Sequence, residues 1–235
     1  MTAMLQLRKY ESLSGGDYGW LKARHHFAVD ARAASLHVPL GCLVAWNDDE
    51  VAPGTGFPMH RHENMEIITY VRTAAVAHQD SLGNIGRIEA GDVQVMSAGL
   101  GIRHQERNPT DRPLKIFQIW LRPREDGGAA RWDSRQFPKA DRAGQLVPLA
   151  SGDERDDEAL PIRADARVLG ATLLVGGTTK HRVTRGRHAY LVSAVGVLVV
   201  NGHRLEQGDG IAASGEPQLT ITAETKAEFV LVEAA

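Results

Sequence analysis

The chain has 235 residues, with 27 Lys plus Arg against 29 Asp plus Glu and a formal charge of −2, so it lacks the basic excess that general electrostatic nucleic-acid binding needs. Its 43% hydrophobic and 24% charged residues exclude a disordered tail, and its single cysteine, Cys42, excludes an intramolecular disulfide framework and a Cys-rich zinc site. A length of this order suits one large all-β domain or two domains of roughly 100–120 residues. The longest apolar stretch, from Ala189 to Val200, is too short to span a bilayer, and the opening MTAMLQLRKYESL carries no apolar signal-peptide core. A cytoplasmic protein with no membrane contact is therefore expected.

In chain order, strand-like runs are predicted over residues 41–46, 66–71, 76–78, 92–96 and 116–121. Helical periodicity is scarce, and residues 126–135 hold at most a short helix or an irregular loop. Residues 151–158, SGDERDDE, are charged and apolar-free, and read as an exposed linker. This divides the chain into domains 1–150 and 151–235. A second set of strands follows over residues 169–175, 190–194, 197–200, 211–213, 218–223 and 228–233. Asp80-Ser81-Leu82-Gly83-Asn84 and Asn201-Gly202 carry hairpin chemistry. Short strands at this spacing suggest a sandwich or barrel.

The two sets repeat each other. Glu89-Ala90-Gly91-Asp92 with Ser97 matches Glu206-Gln207-Gly208-Asp209 with Ser214 at an offset of 117. Residues 66–71 align with 188–193 at an offset of 122, and the difference of five places a longer hairpin loop around Leu82 to Ile85 in the first half.

His60-Arg61-His62 puts two imidazoles on one face of a strand, and His104-Gln105-Glu106 does the same for an imidazole and a carboxylate. If those strands are neighbours, three neutral nitrogens and one carboxylate converge. That set suits Fe(II), Mn, Ni, Co or Zn and leaves positions open for a small molecule. Gly54 and Gly56 precede the first pair and Gly99 and Gly101 the second, where turns must deliver strands into a crowded mouth. Adding the repeat offsets to the four residues gives Arg182, Thr184, Ile221 and Ala223, so the second half is expected to be metal-free.

Gly54, His60, His62 and Glu66, at this spacing, resemble the first cupin motif. Gly91-Asp92 and the run from Ser97 to Glu106 resemble the second in its pirin-like form. Asn47-Asp48-Asp49, the run from Met65 to Val71, the run from His78 to Asn84, and Gly19-Trp20-Leu21 with His25 and Phe27 are also similar to pirin-family proteins. The resemblance is dense over residues 5–122 and thinner over 160–235. It implies an all-β bicupin fold, with two cupin barrels facing each other, and one metal, usually iron, held by His60, His62, His104 and Glu106. It also implies one of two activities. The first is a quercetin 2,3-dioxygenase-like oxidoreductase taking a small aromatic substrate and dioxygen, with Glu106 as the group that accepts the substrate's hydroxyl proton. The second is a redox-sensing regulator that contacts a protein partner. A cupin isomerase or an inactive member is the third reading. The chain departs from the family at Arg61, where proline is usual, at Met59, at Arg72-Thr73-Ala74-Ala75, which replaces a glycine turn, and at Gln105, where serine is common.

Glu66 is a candidate to support or replace a ligand. His25, His78 and His203 read as lone structural or surface groups. Lys180-His181-Arg182, Arg185, Arg187 and His188 read as a solvated strand face and turn. Met65, Met96 and Phe117 read as core, and Phe57 and Met59 as flanking the cavity.

Overall fold

Apolar runs without alternation, such as Ile67-Ile68 with Tyr70-Val71, require strands covered on both faces. In the computed structural model, which describes residues 3–27 and 37–235, these runs form the centre of two seven-stranded sheets. The first half holds β1 (Met4–Arg8), β2 (Ser14–Asp17), β3 (Leu21–His25), β4 (Leu43–Val51), β5 (Gly56–His62), β6 (Glu66–Thr73), β7 (Ala75–Asp80), β8 (Ile85–Glu89), β9 (Val93–Ser97), β10 (Ile102–Arg107), β11 (Leu114–Leu121) and β12 (Arg131–Arg135). The second holds β13 (Val147–Ser151), β14 (Leu160–Pro161), β15 (Ala166–Leu173), β16 (Thr178–Arg182), β17 (His188–Val195), β18 (Leu198–Val200), β19 (His203–Leu205), β20 (Gly210–Ser214), β21 (Gln218–Ala223) and β22 (Ala227–Ala234). No helix among the described residues is long and apolar enough to cross a membrane.

The first half pairs a sheet of order β12-β9-β6-β11-β4-β3-β2 with a smaller one of order β5-β10-β7-β8. The second pairs β1-β20-β17-β22-β15-β13-β14 with β16-β21-β18-β19. The fold is the expected pair of cupin barrels. The offsets read from the sequence carry strand onto strand: β6 plus 122 is β17, and β9 plus 117 is β20, residue for residue. The five extra residues between them lie partly in the hairpin arms, because β7 and β8 are longer than β18 and β19. The expectation of a longer loop alone is thus corrected. Asn201 and Gly202 both take positive φ, 45° and 85°, which matches strand twist across a two-residue turn.

Residues 126–135 also depart from expectation. They end in a strand, β12, that pairs with β9 from Ser97 to Val93. In the second sheet the place beside β20 is taken by β1, from the start of the chain. The charged stretch 151–158 is anchored rather than free: the Asp156 carboxylate accepts from Ser151 Oγ at 2.6 Å and takes both arms of Arg167 at 2.7 Å, and the Gly152 N–H donates to the Ala166 carbonyl at 2.9 Å.

The two large sheets pack face to face. Trp46, Ile68, Tyr70, Phe117 and Ile119 from the first meet Val168, Tyr190, Val192, Val230 and Val232 from the second in one buried cluster. Each such side chain contributes roughly 1.5–3 kcal/mol through burial. Buried polar groups add direction. Tyr70 Oη donates to Glu228 and accepts from Arg142 Nη1 at 3.1 Å, and Lys139 Nζ reaches the same Glu228 at 2.6 Å. Residues of β6 that face this layer leave Ile67, Thr69 and Val71 pointing the other way, into the first barrel.

Candidate metal centre

Antiparallel pairing of β10 with β5 sets His104 opposite His60, and a bulge then brings Glu106 opposite Phe57. The strands nearly touch here: a Cβ on Gly56 would lie 2.1 Å from the Glu106 carbonyl oxygen, so the position has no room for a side chain. Alternation sends His60 and His62 inward and Arg61 outward. Arg61 bonds Glu63 and the Leu100 carbonyl at the surface, and Gln105 bonds Gln79 at 2.8 Å. Both departures from the family pattern therefore lie away from the imidazoles.

The three histidines form one cluster with coordinating atoms all within 4.8 Å. His60 Nδ1 donates to the Pro58 carbonyl at 2.7 Å, since a carbonyl can only accept, and this leaves His60 Nε2 as a bare lone pair. His60 Nε2 and His104 Nε2 are 3.1 Å apart. Burial, reinforced by the neighbouring imidazoles, lowers the pKa of His62 to about 4 and of His104 to about 3. Both are thus neutral, the form that binds metal.

Glu106 is fully buried on the floor of the same barrel. Its Oε1 accepts from Thr69 Oγ1 at 3.2 Å and from Gln94 Nε2, and its Oε2 from Gln118 Nε2 at 2.8 Å. An ionised carboxylate offers about four acceptor positions, so one remains, on Oε2. Two indoles fix both amides. Trp132 Nε1 donates to Gln94 Oε1 at 2.9 Å and Trp120 Nε1 to Gln118 Oε1 at 3.1 Å. An indole only donates, so each glutamine must turn its oxygen to the tryptophan and its NH₂ to Glu106. Burial pushes the Glu106 carboxyl up to about 7, partly offset by these donors. Asp49, also inside, rises to about 8 through burial and its neighbours Asp48 and Glu106.

Glu106 falls outside the group of His60, His62 and His104 and groups instead with His104 and His78, with coordinating atoms within 4.8 Å of one another. His78, read from the sequence as a lone group, is buried beside His104, stacks on Trp132 with rings 4.8 Å apart and 9° from parallel, and bonds Asp80 at 3.1 Å. Its period-two spacing to Asp80 was the available signal. Gln94 and Gln118 were also missed; polar residues at inward positions of β9 and β11 were the sign. Glu66 lies elsewhere, accepting from Ser97 Oγ at 2.6 Å and the Arg163 backbone N–H at 3.1 Å. Phe57 packs into the barrel core against Trp20, whereas Met59 is exposed. Met96 and Phe117 are core as expected. In the basic cluster, Lys180, Arg182 and Arg185 are exposed but His181 is buried on Glu233 at 2.6 Å. The second barrel is filled with aliphatic side chains: Leu191, Ile211, Ile221 and Ala223 stand at the offset positions of Thr69, Gln94, His104 and Glu106.

The Pirin family profile matches residues 6–121, and that of the quercetinase C-terminal cupin domain matches 148–234. A pirin-like protein of Caulobacter vibrioides is 54% identical over 99% of this chain and 100% of its own length. A quercetin 2,3-dioxygenase of Escherichia coli is 35% identical, with 98% of each chain covered. The crystal structure of Escherichia coli YhhW superposes with a TM-score of 0.93 at 33% identity, over 99% of this chain and 98% of that one. The structure described as bacterial pirin YhhW in complex with nickel(II) superposes at 0.91 and 33% identity, over 98% and 99%. A barrel pair of this topology, with three convergent imidazoles and a buried glutamate in the first barrel only, agrees with those matches: the chain belongs to the pirin family.

Proposed function

We propose that this chain is a mononuclear metal-dependent dioxygenase that opens the ring of a flavonol-like substrate, as the name quercetin 2,3-dioxygenase describes for its relative. His60, His62, His104 and Glu106 would hold the metal, iron(II) in this reading, with Mn, Ni, Co and Zn also suited to the donors. The observation that carries the proposal is the cluster of three imidazoles with the 3.1 Å separation of His60 Nε2 and His104 Nε2. Two nitrogens each about 2.1 Å from one ion, at right angles, are about 3 Å apart. When bound, the metal would supply Lewis acidity toward a substrate hydroxyl and the electron chemistry that dioxygen needs.

The chain's own groups do the rest. Thr69, Gln94 and Gln118 hold the Glu106 carboxylate so that only Oε2 has an open position, which would hold the metal or, in exchange for that bond, accept the substrate's hydroxyl proton. In the metal-free chain burial sets this carboxyl at about 7, and a bound cation would lower it. Trp120, edge-on to His62 with rings 5.1 Å apart, provides an aromatic wall beside the imidazoles. Ile67, Met96, Ala98 and Ile102 close an apolar cluster next to it.

The test is aerobic incubation with quercetin, following loss of flavonol absorbance, with bound metal quantified in the same sample. Turnover proportional to bound metal is expected. No turnover by metal-replete protein across several flavonols would overturn the proposal and favour a binding protein whose metal oxidation state alters a surface that meets a protein partner.

A further inference from the structure

We infer that His78 and Asp80 are positioning residues for His104: Asp80 holds His78 in the tautomer whose bare Nδ1 accepts the Nδ1–H of His104 when His104 Nε2 is bound to a metal. The inference rests on the metal assignment above.

Strand register brings the three side chains together. On β7, His78 lies opposite Glu106 and Asp80 opposite His104 of β10. The Asp80 carboxylate is saturated with donors: the backbone N–H of Leu82 at 2.9 Å and of Asn84 at 3.1 Å, Asn84 Nδ2 at 2.9 Å, and His78 Nε2 at 3.1 Å. A carboxylate so surrounded only accepts, so His78 Nε2 carries the hydrogen and His78 Nδ1 is bare. That Nδ1 is buried without a partner, and so is His104 Nδ1. The two rings lie 5.5 Å apart at 43°, and coordinating atoms of both fall within 4.8 Å. Trp132 fixes the plane of the His78 ring from its other face.

Two buried nitrogens without partners in one interior need a reason. The tautomer of His104 supplies it. Facing only the bare Nε2 of His60, His104 Nε2 carries the hydrogen, and its Nδ1 is bare like that of His78. With Nε2 committed to a metal, the hydrogen leaves Nε2 and one is taken up at Nδ1, so the imidazole stays neutral. The new Nδ1–H then meets the acceptor that Asp80 has prepared. Ligating histidines are commonly fixed this way, through the nitrogen that does not bind. His60 has the same arrangement on a backbone carbonyl, through Pro58.

The experiment uses the full chain stripped of metal and titrated with cobalt(II) alone, for wild type, His78→Leu, His78→Gln and Asp80→Asn. Stoichiometry and affinity come from calorimetry, and the exchangeable ring N–H signals shifted by bound cobalt come from proton NMR. The wild type should bind one cobalt and show a slowly exchanging His104 N–H. His78→Leu should weaken binding 10–100-fold and speed exchange of that signal. His78→Gln keeps a carbonyl acceptor and should restore most of both. Asp80→Asn frees the His78 tautomer and should resemble His78→Leu. Affinity within twofold of wild type in His78→Leu and Asp80→Asn, with the N–H signal unchanged, would overturn the inference while leaving the metal assignment standing. A second cobalt per chain, lost in His78→Leu, would also overturn it, by making His78, His104 and Glu106 a metal position of their own. Undiminished cobalt in His60→Ala and His104→Ala would instead remove the metal assignment, and this inference with it.

Discussion

At Glu106, three donors leave a single open acceptor position on Oε2, and metal ligation and proton acceptance both draw on it. Glu106→Gln separates them. An amide in this cradle must turn its NH₂ toward Gln118 or Gln94, donor against donor, unless one of those releases its indole. The expected result is turnover per bound metal at least ~100-fold lower, the size of a lost general base. Metal occupancy should fall much less, because three imidazoles remain. Unchanged turnover per metal would remove Glu106 from the mechanism, and an unchanged thermal transition must first exclude misfolding. His60→Ala and His104→Ala test the ligands directly: elemental analysis should find stoichiometric metal abolished in both. His181→Ala and His188→Ala, in the aliphatic second barrel, should retain it.

Strand β12 shows how an element outside the barrel proper reaches its centre. It follows the first barrel, pairs along the edge of β9 and delivers the Trp132 indole to Gln94, and through it to Glu106. Trp132→Phe keeps the ring against His78 but strands Gln94 Oε1, a loss of about 1–3 kcal/mol for a buried acceptor without a donor. Urea denaturation should show that loss. In a Gln94→Leu background the same substitution should cost far less, because the pair acts as one unit. Equal costs in both backgrounds would show that Trp132 acts through packing alone. β12 was invisible to periodicity because Trp132-Asp133-Ser134 mixes exposure on an edge strand. By contrast β6, β17 and β22, buried along nearly their whole length, stood out as unbroken apolar runs.

For the whole molecule, the polar interior of the first barrel makes a pH signature. Above about pH 7.5, a full unit over the unfolded imidazole value of 6.5, the depressed imidazoles His62 and His104 are neutral whether folded or unfolded and contribute almost no slope. The two raised carboxyls behave differently. Folded Glu106 keeps its proton to about 7 and folded Asp49 to about 8, whereas both are ionised in the unfolded chain well below that. Above about pH 7.5 the folded state binds more protons, so stability of the metal-free protein should fall as pH rises from there to about 8.5. The slope is up to about 1.4 kcal/mol per pH unit for each proton held. Asp49→Asn should remove most of that fall. A level or rising profile in urea titrations across this range would show that neither carboxyl is protonated in the fold.

The central strands, the duplication and the His-x-His and His-x-Glu pairs were legible in the sequence. Each depends on a local period: two for strands, fixed offsets for repeats, and turn residues such as Asn201-Gly202 whose backbone preferences act over two positions. That Ile221 and Ala223 stand where the first half has His104 and Glu106 followed from those offsets as well. Tertiary structure alone decided what surrounds the histidines. Gln94, Gln118, Trp132 and His78 sit on four different strands, and the bonds of Trp132 to Gln94 and of Gln94 and Gln118 to Glu106 exist only because the sheet order brings those strands around one interior. The same holds for β1, which reaches the far barrel across the length of the chain. Side-chain hydrogen bonds reach about 3 Å, and sequence separation says nothing about which partners come within that reach.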